Sequence, residues 1–379
     1  MAQLLPAAPR SVAVVLGTRP ELVKLAPLLR VLGPAARVVH TGQHWDEELS
    51  GRIMAELGLP RADVLDGIGG RPRAVQVSRA LEQLDARFAA DRPAAVVVQG
   101  DTNATLSGAL AANARRLPLV HVEAGLRSHD RAMPEEHNRV LVDRLSDVLC
   151  AATDANRAEL LAEGHEPSRI AVTGNTVVDA VRDQLPSRRT RSAILAEHGV
   201  RPDSYVLATV HRPENTDDPD ALRAILTALQ SLTAAGTPVL LPLHPRTLKA
   251  VWRLGLRRLL HGLTVVPPLG YGEFLALARH AALLVSDSGG MQEECTALAR
   301  PLLVVRRSTE RPEAIDAGFC ALVRPGAELA ETAHAWLADA PARRSRLATV
   351  PSPYGDGRAA ERIAGLIAEL AATKALLVA

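Results

Sequence analysis

Aromatic side chains are scarce in this 379-residue sequence: three Phe, three Trp and three Tyr, or 2% of the chain. Its core must therefore be built from Ala, Val, Leu and Ile, and the 47% apolar content supplies enough of them. Cysteine is scarce too. Cys150, Cys295 and Cys320 lie far apart without the paired spacing of a zinc site or a disulfide framework, so a reducing, cytoplasmic setting is expected. Neither sign of charge dominates, because 44 Lys and Arg against 42 Asp and Glu leave a formal +2. That balance gives no general electrostatic reason to expect nucleic acid or a membrane as partner, and any anionic ligand has to be held locally. No run approaches the roughly 18 apolar residues that span a bilayer. The apolar run 12–16 is followed at once by Arg19 and Glu21, unlike a secretory leader.

Several signatures of common chemistry are also missing. There is no Gly-x-Gly-x-x-Gly and no Gly-Lys-Ser/Thr loop, which disfavours a nicotinamide cofactor and a nucleoside-triphosphate P-loop. Gly-x-Ser-x-Gly is absent, so serine nucleophile chemistry is not expected, and no His/Asp spacing resembles a metal site. The expectation is an enzyme with no metal and no cofactor.

What is present is an alternation. Short Val- and Leu-rich runs at 12–16, 38–41, 94–99, 119–122, 148–151 and 170–172 are separated by segments of helical spacing such as 103–116 and 136–145. Strands this apolar, divided by helices, predict a parallel sheet covered on both faces. The pattern restarts with 206–210, 239–243, 264–266, 283–285 and 302–305. Between the sets, 182–201 is charged and helical in character. The expectation is an α/β protein of two doubly wound Rossmann-like domains facing a cleft. Residues 1–185 form the first domain, 186–355 the second, and 356–379 a helix returning to the first.

Ligands of such sheets sit beyond the carboxyl ends of the strands, and the polar motifs fall there. Ser288-Gly289-Gly290 follows one strand and opens a helix, whose free N–H groups and partial positive charge would stabilise a diphosphate. Taken alone, a Ser-Gly-Gly is more simply an N-cap with a tight turn. Glu294, one turn on, is placed to accept ribose hydroxyls. A nucleotide-sugar is the ligand class that remains. Asp101 and Glu123 each end an apolar strand and Glu135 starts a helix, so these three acids are the candidates for proton transfer. Arg19, Lys24, Arg127, Arg139 and His211 lie on similar loops and would offset both carboxylates and phosphates. Each has an ordinary structural reading as well; their coincidence argues for a site.

The motifs Gly17-Thr18-Arg19-Pro20-Glu21 with Lys24, Gly100-Asp101-Thr102, His121-Val-Glu-Ala-Gly-Leu-Arg127, Pro134-Glu-Glu-His-Asn-Arg139, His211-Arg212, Asp287-Ser-Gly-Gly-Met-Gln-Glu-Glu294 and Pro353-Tyr-Gly-Asp-Gly357 occur in one order. Together they resemble the non-hydrolysing UDP-N-acetylglucosamine 2-epimerases. The resemblance runs from about residue 12 to 366. It implies a glycosyltransferase-B architecture, interconversion of UDP-GlcNAc and UDP-ManNAc, and a homodimer. It also implies catalytic positions at Asp101, Glu123, Glu135 and His211 with Arg19 and Lys24 beside them. Arg139, His244, Ser288, Gly289, Gly290, Glu294 and Arg311 then match diphosphate, ribose and sugar contacts, and Phe274 matches a position lining the uracil pocket.

Departures bear on regulation: Asp46 stands where relatives activated by a second UDP-GlcNAc carry glutamine, so catalysis without an activator is expected. Three other functions remain open at this point. They are a hydrolysing relative that releases UDP and ManNAc, a glycosyltransferase of the same architecture, and a silent UDP-sugar sensor.

Overall fold

The computed structural model of the chain describes residues 11–43, 51, 54–55, 57–59 and 61–378. Asp46 lies outside the described residues. The chain divides into two compact units, one holding residues up to 180 together with 354 onward, the other residues 181–353.

In the first unit, seven strands form one parallel sheet: β1 (Val12–Leu16), β2 (Ala36–His40), β3 (Asp63–Val64), β4 (Ala95–Gln99), β5 (Leu119–Ala124), β6 (Val148–Ala151) and β7 (Ile170–Val172). Their spatial order is β3-β2-β1-β4-β5-β6-β7. The second unit repeats the plan with β8 (Val206–Thr209), β9 (Val239–Pro242), β10 (Thr264–Val266), β11 (Leu283–Ser286), β12 (Leu302–Val305) and β13 (Cys320–Val323) in the order β10-β9-β8-β11-β12-β13. Both orders reverse between the first and fourth strands, the switch point where doubly wound sheets bind ligands.

The strand runs named from sequence are all strands. Two further strands, β3 and β13, complete the edges. β3 is two residues long and half polar, and it pairs only through Val39 and His40. β13 carries just four residues, paired in register with 302–305. β3 is too short for period or composition to mark it, whereas β13 is as long as β6 or β12 but only its two end residues are buried.

Every residue of β1, β4 and β5 is buried, as parallel strands covered on both faces require. In the first unit Val15, Val98, Leu84 and Phe88 share one core cluster. In the second, Val206, Leu226, Leu241, Val285 and Leu303 do so. The few aromatics serve as anchors: Tyr205, Phe88 and Phe319 are the largest fully buried side chains.

The final helix, Ala359–Val378, packs against the helix Arg19–Leu32 of the first unit. Its start is fixed by Asp179, whose carboxylate accepts from the backbone N–H groups of Ala359 at 3.2 Å and Ala360 at 3.0 Å. A buried carboxylate on otherwise unpaired helix N–H groups is a strong cap. Among the described residues no helix is long and apolar enough to cross a membrane.

Candidate active site

In the first unit the polar groups gather where β1, β4 and β5 end. β5 shifts register against β6 between Val122 and Ala124, and Glu123, between them, has φ +68°. A non-glycine residue in the left-handed region is uncommon. Held at a bulge beside polar groups, it marks a position where packing re-aims a side chain. Lys24 Nζ stands 2.5 Å from Glu123 Oε1, and Asn175 donates to the same oxygen at 3.0 Å. Gln99, the last residue of β4, donates to Oε2. Glu123 and Lys24 are both buried, so the carboxylate is fixed by donors from three different elements.

Asp101 is gripped by Arg139, whose Nε and Nη2 donate to Oδ2 at 2.9 and 2.5 Å. Its main-chain carbonyl accepts from Asn138 at 2.7 Å. Arg139 also donates to Glu136 Oε2 at 2.6 Å. Glu136 is the buried acid of the Glu135-Glu136 pair. Burial works to raise its pKa, but donors from Ser128, Arg139 and the His129 backbone hold the carboxyl below its ordinary value. Glu135 is exposed at the start of the helix Pro134–Leu145, and Arg19 is exposed at the start of its own helix.

Arg127 corrects an expectation. Sequence position groups it with the cations available to a ligand, but it is buried with Nη2 2.6 Å from Asp143 and Nε 2.8 Å from Glu163. Asp143 in turn meets His121 Nδ1 at 2.6 Å, while His121 Nε2 lies 2.8 Å from the Gly100 carbonyl. Burial opposes the Asp143 charge, yet the adjoining His121 and Arg127 hold its pKa below the usual carboxylate value. This chain of charges underlies the loop that carries Asp101; Arg127 is consumed by it.

Glu21 is not among the site candidates that the sequence singles out. Its carboxylate, 2% exposed, accepts from Gly17 N at 3.0 Å and Thr18 Oγ at 2.7 Å. It also meets Thr102 Oγ at 3.0 Å and Thr105 Oγ at 3.2 Å. It thus ties the loop after β1 to the loop after β4. Burial pushes its pKa up to about 7, against the lowering effect of those hydrogen bonds. Its place in Gly17-Thr18-Arg19-Pro20-Glu21 is the only signal in the sequence.

In the second unit the groups again flank the switch point, after β8 and β11. Asp287 is fully buried and accepts from the backbone of His211 at 3.0 Å and Arg212 at 2.9 Å, and from Asn215 Nδ2 at 3.0 Å. Its carboxylate also lies 3.1 Å from His211 Nδ1. Burial works to raise the Asp287 pKa, but the hydrogen bonds from His211 and Asn215 outweigh it and the carboxyl stays ionised. An acceptor at Nδ1 fixes the imidazole with that nitrogen protonated. The His211 ring lies 5.4 Å from the ring of His244. His244 is exposed and caps the helix Pro245–Arg253, its Nδ1 accepting from Arg246 N at 3.1 Å.

Ser288 occupies the N-cap position of the helix Gly289–Ala297, but its hydroxyl makes no capping hydrogen bond. A Cβ added at Gly289 would stand 3.0 Å from Arg311 Nη1 and 3.4 Å from Arg212 Nη2, whereas at Gly290 it would meet nothing within 4 Å. Two guanidinium groups therefore adjoin a helix N-terminus whose second residue faces open space, which is the chemistry of an anion site. Arg311 is oriented by Glu293 at 2.7 Å and Glu310 at 2.6 Å. Glu294 is half-buried and accepts from the Tyr271 hydroxyl at 2.9 Å. Phe274, also half-buried, lies on the same helix as Tyr271. Among the described residues no group of three His, Cys, Asp or Glu side chains is placed to hold a metal ion.

Two Rossmann-like units whose first six strands follow the 3-2-1-4-5-6 order, each with its polar groups at the switch point, place the protein in the glycosyltransferase-B fold class. A glycosyltransferase from Rickettsia africae shares the architecture at TM-score 0.59 and 12% identity over 96% of this chain and 99% of its own, which speaks to the fold alone. The family model described as UDP-N-acetylglucosamine 2-epimerase matches residues 33–368. The UDP-N-acetylglucosamine 2-epimerase of Methanocaldococcus jannaschii is 36% identical over 365 residues, covering 94% of this chain and 98% of that protein. A crystal structure from that organism, in complex with UDP-GlcNAc and UDP, aligns at TM-score 0.84 and 35% identity over 95% of this chain and 99% of the other. The UDP-2,3-diacetamido-2,3-dideoxy-D-glucuronate 2-epimerase of Pseudomonas aeruginosa is 35% identical over 363 residues, 94% of this chain and 99% of that one. The chain belongs to the UDP-N-acetylglucosamine 2-epimerase family.

Proposed function

We propose that the protein interconverts UDP-N-acetylglucosamine and UDP-N-acetylmannosamine by elimination and re-addition of UDP at C1. The observation that carries the reading is Glu123: a buried carboxylate in left-handed backbone, fixed by Lys24, Gln99 and Asn175. Such a group suits proton transfer at a defined atom better than it suits binding an anion.

The C2 proton of the sugar has no adjacent carbonyl, so direct abstraction is prohibitively hard. As the C1–O bond breaks, the electron pair leaves with UDP and cationic character at C1 acidifies C2. A carboxylate then takes the C2 proton, giving 2-acetamidoglucal. Return of UDP to C1, with a proton delivered to the opposite face of C2, yields the epimer. Two faces require two proton carriers, and Asp101, Glu123 and Glu135 are the candidates. No oxidant, reductant or metal enters the balance.

In this reading the second unit binds the nucleotide. Ser288, Gly289 and Gly290 with Arg311 and Arg212 take the diphosphate, and Glu294 takes the ribose. Phe274 lines the uracil pocket and His244 contacts phosphate or sugar, while Arg139, bound to Asp101 and Glu136, orients Asp101. His211, aligned by Asp287, stabilises the departing phosphate, while Arg19 and Lys24 offset charge beside the acids. The enzyme acts as a cytoplasmic homodimer. The Pseudomonas relative supports one competing substrate, a UDP-diacetamido uronate.

Proton NMR in D2O tests the proposal. Deuterium should enter C2 of both UDP-GlcNAc and UDP-ManNAc, without accumulation of free UDP. Asp101→Asn and Glu123→Gln should each abolish the exchange with little loss of UDP affinity. Wild-type exchange in both variants removes them from the mechanism. Steady release of UDP marks a hydrolase, and exchange confined to the diacetamido uronate corrects the substrate.

A further inference from the structure

The near-neutral total charge conceals a local segregation. Between Asp220 and Glu273 there is no acidic residue, while Arg223, Arg246, Lys249, Arg253, Arg257 and Arg258 all fall in that stretch. It spans the helix Pro245–Arg253, the 3-10 turn Arg257–Leu260 and the edge strand β10. Arg246, Lys249, Arg253, Arg257 and Arg258 are exposed.

The same stretch holds three of the six large apolar residues that stand exposed among the described residues: Leu248 at 41%, Trp252 at 53% and Val265 at 39%. Leu248 and Trp252 are four residues apart and so share one helix face. Thr247, Ala250 and Val251 lie on a different face of the helix and are buried. Val265 pairs in register with Leu241, which shares a core cluster with Ala250 and Val251, so Val265 lies on the sheet face that this helix covers. Arg257 stacks its guanidinium 2.9 Å from the centre of the Trp252 ring.

We propose that this surface docks the protein reversibly on a bilayer bearing anionic lipid headgroups. Exposed Trp and Leu on one helix face, with exposed Arg and Lys on the same helix and the turn after it and no acid in that stretch of chain, is the composition of an interfacial anchor that lies on a membrane without spanning it. The apolar side chains enter the acyl boundary and the guanidinium and ammonium groups meet lipid phosphates. Two other occupants fit less well. A second copy meeting the same face isologously would set the cations against one another. A nucleic-acid base would find one face of the indole already taken by Arg257. The inference is independent of the reaction proposed above.

Co-sedimentation of the full-length protein with vesicles tests it. At moderate salt the protein should bind vesicles of phosphatidylcholine with about one-third phosphatidylglycerol at least tenfold more strongly than pure phosphatidylcholine, since each cation near an anionic surface strengthens binding about fivefold. The double variant Leu248→Ser/Trp252→Ser and the triple variant Arg253→Gln/Arg257→Gln/Arg258→Gln should each lower binding about tenfold or more, with thermal stability and solution activity unchanged. The triple variant should also flatten the salt dependence. Failure of the wild type to prefer anionic vesicles overturns the proposal. So does binding that survives both variants, or binding to an RNA homopolymer that exceeds binding to the vesicles.

Discussion

Replacing Glu21 with glutamine changes the shape of the stability–pH curve. The carboxyl is buried and accepts only from a backbone N–H and from hydroxyls; none of these hydrogen-bond partners is a cation. Burial therefore pushes its pKa from the ordinary 4.5 to about 7. An acid raised in this way stabilises the fold fully below the unfolded pKa and loses that contribution as pH climbs through the folded one. The wild type is expected to lose about 2.5 kcal/mol from this group between pH 5 and pH 8. Each tenfold change in an acid's ionisation constant corresponds to about 1.4 kcal/mol, and part of the effect has already gone by pH 5. The glutamine side chain keeps the shape and does not titrate. Urea denaturation of both proteins at pH 5 and pH 8 measures the difference; groups common to both cancel. The Glu21→Gln variant should gain about 2 to 3 kcal/mol relative to wild type on going from pH 5 to pH 8. An offset that stays constant within about 0.5 kcal/mol across that range refutes the reasoning.

Two further substitutions separate structure from binding. Asp143→Asn leaves His121 and Arg127 buried without their shared carboxylate, and should lower stability by about 3 to 5 kcal/mol in chemical denaturation; a change under about 1 kcal/mol would show that Glu163 alone satisfies Arg127. Gly290→Ala adds a methyl group where nothing stands within 4 Å, so thermal stability should hold or rise by a few tenths of a kcal/mol to about 1. If a diphosphate sits on that helix start, UDP affinity measured by calorimetry should fall about tenfold or more; unchanged affinity moves the anion elsewhere.

Much of the fold was legible because both sheets are parallel. Covered on two faces, their strands are continuous apolar runs, and the runs around residues 12, 96, 120, 207, 284 and 303 needed no tertiary information to locate. The edges were not legible. β3 has two residues, too few for a pattern, and β13, though as long as strands that were located, is buried only at its two ends and so lacks the continuous apolar burial of the central strands. In the site, position after a strand exposed Asp101, Glu123, His211 and Ser288, because loops at carboxyl ends are where such folds place ligands. It gave no means of separating Glu135 from Glu136, of which the second is buried and holds Arg139. Nor did it distinguish Arg127 from the other cations.

The amino-acid order alone determined two doubly wound sheets, the segments that carry polar groups beyond them, and the family. Those are properties of periodicity and short motifs, which survive without distances. Only the folded chain decided which charges are already spent on one another: Arg127 on Asp143 and Glu163, Arg139 on Asp101 and Glu136, Asp287 on His211 and its neighbouring backbone. It also decided that Glu123 is held in left-handed backbone and that Glu21 is buried among hydrogen-bond donors with no cation among them. Pairing and desolvation depend on residues brought together from far along the chain, and a carboxylate's character is set by what surrounds it.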